Sequence, residues 1–331
     1  MSTLPELPDF AKNAINLASP RLGSEIIFAT DDFFADKSRV LADEPPVFIA
    51  DKYDDHGKWM DGWESRRRRD GGHDFCIIRL GVGGLIHGVD IDTSYFTGNY
   101  PPAVSIDACV SATDPTERTR WTEILSPAEL QGNAHHFLPT DVTIPYNYLR
   151  VHMWPDGGIA RIRVYGIPDA GGIDPDQIME LSAIRSGGRV VACNDSHYGD
   201  PWVILTEGRG RNMGDGWETR RRREPGNDWI IVRLGRAGVI EYIEVDTAHF
   251  KGNFPDRCSV EGALSEHDAD QSVITQSMFW GEILPPQKLQ MDHLHKFQID
   301  PLKETGPVNY VKLNIYPDGG ISRLRIFGKP V

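Results

Sequence analysis

One passage of this chain is written twice, and that duplication limits the possible folds more than any other feature. Residues 61–81 read DGWESRRRRDGGHDFCIIRLG and residues 215–235 read DGWETRRRREPGNDWIIVRLG, an offset of 154. The same offset relates DTSYFTGNYP at 92–101 to DTAHFKGNFP at 246–255, and 22 of the 41 positions from 61 to 101 are identical in the second copy. The period is far longer than a solenoid unit, so each copy has to close its own core. The 331 residues then divide into two domains of a workable size. We read a leader with one short helix over 1–20, a first repeat over 21–168 and a second over 169–331. The joint falls around IPDAGGIDP at 167–175, whose Pro, Gly and Asp suit a boundary.

Within each copy the pattern is that of strands. DFCIIRLG and DWIIVRLG are short β-branched runs that end in glycine, and LIHGVDIDTSYF and VIEYIEVDTAHF alternate apolar with polar residues. AVSIDACV and CSVEGALS add shorter strands, and the second copy gains five residues before the EIL of 282–284, placed in a surface loop. Each copy ends in alternating segments around Pro-Asp-Gly-Gly, at 147–166 and 309–328, which predicts a closing hairpin. In the leader, Pro8 and Asp9 start a helix whose face carries Phe10, Ala14 and Leu17. The expected fold is all-β: two tandem antiparallel β-sandwiches.

Charge and cysteine usage narrow the class of partner. A net charge of −13 argues against nucleic acid, so the two RRRR runs need a local explanation. No run of eighteen apolar residues predicts a membrane span, and the first residues lack the basic start and apolar run of a secretory signal. The four cysteines occupy unrelated places in the two copies: Cys76 stands opposite Ile230, and Cys258 opposite Val104. Free thiols and a cytoplasmic location are expected. A small-molecule substrate is the expected partner, and a homo-oligomer stays open.

The paired DGWE[ST]RRRR, the DT-x-x-F-x-GN-x-P segment in both copies, FATDDFFAD near the start and the WPDGGI and YPDGGI turns resemble the allantoicase family, from about residue 16 to 328. The resemblance implies two jelly-roll repeats akin to discoidin and galactose-binding modules. It also implies hydrolysis of allantoate to ureidoglycolate and urea in purine degradation. Allantoate carries one carboxylate and two ureido groups on a single carbon. An arginine fork suits the carboxylate, and expelling urea needs a proton at the leaving nitrogen and a base.

On that reading Glu64, His136 and Asp61 are the catalytic candidates, and Arg66, Arg68, Asn99, Arg220, Arg222 and Glu218 the substrate-binding ones. Each also has a structural reading. In an extended segment Arg66 and Arg68 point one way and Arg67 and Arg69 the other, so one pair could neutralise nearby acids while the other is solvated. Asp61, Glu64 and Glu218 could satisfy turns or arginines, and Asn99 could close a turn. Matching HHF at 135–137 with HKF at 295–297 pairs His135 with His295 and His136 with Lys296; His73 and His152 stand opposite Asn227 and Asn314. No cofactor is expected. No HxH or HExxH pattern specifies a metal, although a divalent ion held by distant loops stays open. The competing readings are a non-catalytic tandem discoidin-like binding protein and a ureidoglycolate-processing enzyme.

Overall fold

The computed structural model describes residues 6–12, 14–169, 171–172, 174–266, 270–299 and 306–331. Two compact units emerge, Met1–Ala170 and Gly171–Val331. The first contains α1 (Asp9–Lys12), β1 (Ile15–Asn16), β2 (Glu25–Ala29), β3 (Tyr53–Asp54), β4 (Gly57–Lys58), β5 (Trp63–Glu64) and β6 (Asp74–Asp92). It continues with β7 (Ala103–Cys109), β8 (Thr122–Glu129), β9 (His135–Pro139), β10 (Tyr146–Trp154), β11 (Gly158–Ile159) and β12 (Arg161–Pro168).

The long strand β6 belongs to both layers of the sandwich. Its first half pairs with β2 and β10, and β10 leads on to β7 and β8. Its second half pairs with β12 and β9, and β12 takes β1 on its other side. All of these pairings are antiparallel. Burial alternates along 74–80, as a strand with one face on the core requires. Cys76 and Ile78 from the first half share one core with Val89 and Ile91 from the second, so the two halves face each other. Each such aliphatic side chain taken out of water contributes about 1.5–3 kcal/mol.

The expectation that glycine ends the DFCIIRLG strand is overturned. The strand runs on instead and folds over through an irregularity between Arg79 and Gly84, where the register with β10 shifts. The reason is close approach: a Cβ on Gly81 would lie 1.9 Å from the carbonyl oxygen of Leu22, and one on Gly84 2.5 Å from that of Ile167. The expected closing hairpin is also absent. β10 and β12 never pair with each other, because each takes its hydrogen bonds from a different half of β6. The Pro-Asp-Gly-Gly turn crosses from one layer to the other instead. At the N-terminus the helix stops at Lys12, so Ala14 lies beyond it; residues 1–5 and 13 fall outside the described set. Asn16 then joins β12, its Oδ1 accepting from the amide of Val164 at 2.9 Å.

The second unit follows the same plan. Its strands are β13 (Met179–Glu180), β14 (Arg189–Cys193), β15 (Trp217–Glu218), β16 (Asp228–Asp246) and β17 (Arg257–Ala263). After these come β18 (Gly281–Lys288), β19 (Leu294–Gln298), β20 (Val308–Tyr316), β21 (Gly320–Ile321) and β22 (Arg323–Pro330). β16 plays the part of β6, pairing with β14 and β20 early and with β22 and β19 late. The extra residues of this copy fall in the segment that holds α2 (Asp270–Gln276). Its Val273 packs with Ile231 and Tyr310, so the insertion is a cap over the outer face of the sheet.

Among the described residues no helix is long and apolar enough to cross a membrane. All four cysteines are free; three are buried and Cys193 is half-buried. Burial pushes every thiol up, that of Cys258 to about 12. Thiol titration of denatured, unreduced protein is therefore expected to find four reactive groups, while the native protein reacts slowly because little thiolate is present. A count of two would refute the free-thiol assignment.

Candidate active site

Folding β6 over brings its two ends together. The amide of Asp74 donates to the carbonyl of Pro155 at 2.9 Å, and that of Ala160 to the carbonyl of Asp92 at 2.8 Å, so both ends finish beside the turn between β10 and β12. β5 joins this rim by pairing with β11, Trp63 opposite Ile159 and Glu64 opposite Gly158. Trp63 is wholly buried and its Nε1 donates to the carbonyl of Asp31 at 2.8 Å. The indole thus pins the start of the arginine run, which continues as an extended segment outside any strand.

Glu64 is half-buried at this rim. Asn99 Nδ2 donates to its Oε1 at 2.7 Å, and Ala35 bridges its backbone. Burial raises the pKa of this carboxyl, and the Asn99 hydrogen bond only partly opposes it. The structure therefore joins two of the sequence candidates in one contact. Glu218 and Asn253 make the same contact in the second repeat.

The arginines divide as alternation requires, and the even-numbered pair carries the acids. Arg66 Nε donates to Asp31 Oδ2 at 2.7 Å, and its guanidinium lies 5.0 Å from the ring centre of Phe33. Its terminal nitrogens are left facing outward, with the side chain 62% exposed. Burial works to raise the pKa of Asp31, but the Phe33 amide and Arg66 together bring it below the usual carboxylate range. Arg68 has four of its five N–H donors engaged: Nε and Nη2 donate to Asp70, and Nη1 to Asp74 Oδ1 and the His73 carbonyl. Arg220 is held by Asp195 as Arg66 is by Asp31, and Arg222 is held by Asp228. Arg67, Arg69, Arg221 and Arg223 are exposed, with no ionic partner among the described residues.

Asp61 sits under the rim in a scaffold position. Its Oδ2 accepts from Arg161 Nη2 at 2.7 Å and from the Val47 amide at 2.9 Å, and Arg161 is 2% exposed. Asp215 and Arg323 repeat the pair. His136 is tied to the backbone at both nitrogens: Nδ1 donates to the Ile91 carbonyl and Nε2 accepts from the Gln131 amide, each at 2.8 Å. His295 makes the matching bonds to Val245 and Gln290. The equivalence of His136 with Lys296 is therefore a register error of one residue. The ladder places His136 opposite Ile91 and His295 opposite Val245, and those two positions correspond.

Known proteins resemble this chain in both sequence and fold. The model of the allantoicase repeat matches residues 15–169 and again 179–331. A probable allantoicase of Ralstonia nicotianae is 56% identical over 332 residues, covering 99% of this chain and 98% of the relative. Probable allantoicase 1 of Burkholderia mallei is 55% identical over 327 residues, with 98% and 97% covered. The crystal structure of allantoicase from Saccharomyces cerevisiae superposes with a TM-score of 0.80 at 34% identity, covering 95% of this chain and 93% of that one.

The chain belongs to the allantoicase family.

Both allantoicase repeats thus carry the same rim: a carboxylate held by an asparagine, and an arginine held by an aspartate two residues further along. The sequence reading missed a second cluster in the first repeat, on the outer side of the other layer. His135 Nδ1 bonds Asp90 Oδ2 at 2.8 Å, with Arg163 Nη1 3.8 Å from the same oxygen. Asp90 Oδ1, Asp92 Oδ2 and Arg163 Nη1 are buried there without hydrogen-bond partners. The bond to Asp90 raises the His135 pKa against the effect of burial. The alternating acids of VDIDT were its only signal in the sequence. Among the described residues no three His, Cys, Asp or Glu side chains are grouped to hold a metal ion.

Proposed function

We infer that this chain is a hydrolase that cleaves allantoate to ureidoglycolate and urea in purine catabolism. Family membership along both repeats carries the reading, and the rim of the first repeat supports it with suitable chemistry. Arg66, steadied through Nε by Asp31, offers two outward nitrogens to the substrate carboxylate, the planar fork such a group needs. Glu64 lies two residues away in the same extended segment and so on the same side. Its raised pKa keeps it protonated further toward neutrality, which suits a donor to the leaving nitrogen. Arg68 has four of its five donors tied to Asp70, Asp74 and the His73 carbonyl and acts in this reading as the clamp that shapes the rim. The ordered arginine–carboxylate pairs favour an enzyme over a non-catalytic binding module.

Two assays test this. Purified protein is expected to release urea from allantoate and none from ureidoglycolate; release from ureidoglycolate alone would assign it to the later step. Arg66→Lys keeps the charge and loses the fork, so KM is expected to rise about tenfold to a hundredfold, the worth of one charge-assisted hydrogen bond. An unchanged KM would place the carboxylate elsewhere. We also place the protein in the cytoplasm with no nucleic-acid partner, on the strength of its four free thiols and net charge of −13.

A further inference from the structure

The two repeats share the rim but differ beside it, on the outer face of the sheet formed by β7, β10 and the first half of β6. In the first repeat three side chains there form a line. His152 Nε2 meets Asp107 Oδ2 at 3.1 Å, and His152 Nδ1 meets His73 Nε2 at 2.8 Å. Trp154 stacks on His73 with ring centres 3.7 Å apart, and Arg150 holds the same Asp107 oxygen. Asp107, as a carboxylate, can only accept, so His152 carries its proton on Nε2. Its Nδ1 is then an acceptor, which fixes the His73 proton on Nε2 and leaves the His73 Nδ1 lone pair free. The reverse arrangement would set a lone pair of His152 against the carboxylate.

The second repeat shows that the fold does not need these rings. Asn227 and Asn314 occupy the two places, joined by a 3.2 Å amide hydrogen bond, and Lys312 and Glu261 replace Arg150 and Asp107. That face is also the one α2 covers, with Val273 packed on Ile231 and Tyr310. In the first repeat the same turn connects the relay to the rim. Trp154, stacked on His73, and Gly158, paired with Glu64, are four residues apart, a span of at most about 14 Å between Cα atoms. Arg68 links them from the other side by donating to the His73 carbonyl.

We propose that Asp107, His152 and His73 form a proton relay that makes the first repeat the catalytic one, with His73 Nδ1 as the base. This rests on the allantoate reading. His73 takes the N–H proton of the ureido group that stays. The electron pair of that nitrogen forms a C=N bond as the C–N bond to the departing group breaks, and Glu64 protonates the departing nitrogen to give urea. Water then adds across C=N: its hydroxyl bonds to carbon as Glu64 takes back a proton, and His73 returns its own to nitrogen. Asp107 and His152 are positioning residues, since they act through His73.

The charged groups facing His73 are Arg68 and Asp74 from its own segment, His152 and Arg150 from β10, and Asp107 from β7. Burial, then Arg68, lowers the His73 pKa, and burial also lowers that of His152 against the pull of Asp107. Both rings are therefore neutral at neutral pH, as a base must be.

The test is His73→Asn, alone and with His152→Asn, which installs the pair the second repeat already tolerates. Each variant is expected to lose about 10²–10⁴-fold in kcat on allantoate. KM and melting temperature should be little changed, and the acidic limb of the kcat profile should disappear. Long-range ¹⁵N spectra of the unmodified protein are expected to show both rings protonated at Nε2. An active unmodified protein with an equally active His73→Asn variant overturns the relay alone. An Nδ1 proton on His73 does the same whatever the activity. If the unmodified protein releases no urea, the allantoate reading falls and takes the relay with it.

Discussion

Glu64→Gln is expected to lower kcat for urea release by about 10²–10⁴-fold, the usual loss when a general acid is removed. The amide still accepts the Asn99 hydrogen bond at the same oxygen, so the rim is kept and only the proton is lost. Glu218→Gln, which makes the same change at the same contact in the second repeat, should leave the rate within about twofold of the unmodified enzyme if the first repeat does the chemistry. The pH dependence follows from the direction of the shift. Burial raises the Glu64 pKa, so the donor form persists above the ordinary carboxylate range. The rate should fall as pH rises through that raised value, and Glu64→Gln should abolish this limb. Full activity in Glu64→Gln would make this glutamate a rim-building residue. A large loss in Glu218→Gln alone would move catalysis to the second repeat.

Arg161→Met is expected to give the largest loss of stability. It takes out a guanidinium that is 2% exposed and leaves the Asp61 carboxylate with the Val47 amide alone. The carbonyls of Glu44, Asp61 and Ala160 lose their donor as well. Breaking a buried pair from one side costs about 3–5 kcal/mol. At about 2–4 °C per kcal/mol for a unit of this size, the transition of the first repeat should drop by roughly 6–20 °C. Asp61→Asn is the companion: a scaffold position predicts a lower melting temperature with kcat per folded molecule intact. A hundredfold fall in kcat at an unchanged melting temperature would restore Asp61 as a catalytic group.

These positions show what a sequence can and cannot convey. Periodicity reports which side of a strand a residue occupies, so the core face of β6 and the division of the arginines into two pairs were readable. It does not report which strand supplies the hydrogen bonds. Hence the Pro-Asp-Gly-Gly segments looked like hairpins, although β10 and β12 each bond to a different half of β6. The fold-over at Gly81 and Gly84 was hidden for a similar reason, because it depends on the carbonyls of Leu22 and Ile167, which are remote in the chain.

The site was legible in its parts. DGWE-RRRR pointed to Glu64 and Arg66, and GN-x-P pointed to Asn99. Which arginine keeps more of its donors free depended on Asp31, 35 residues before Arg66, and on Asp74. His136 was misread because a one-residue slip in a strand still aligns plausible letters, and only the ladder shows the backbone bonds it shares with His295. The contrast of His73 and His152 with two asparagines was visible from the start. Their contact was not, since the rings are 79 residues apart.

Each repeat ends where it began. β1 lies against β12, with Ile15 opposite Gly166, and β13 against β22, with Met179 opposite Gly328. Neighbouring entry and exit strands make a unit that can be copied head to tail without rethreading anything inside it, so a single crossover in a gene suffices to double the protein. The same adjacency makes either unit a natural subject for circular permutation, with its old ends stitched together by a few residues and new ones opened at a surface loop. A copy gained that way arrives already folded and chemically redundant. It is then free to diverge, and the two repeats differ in that way: amides stand in the second where imidazoles stand in the first, and a helix covers the matching face.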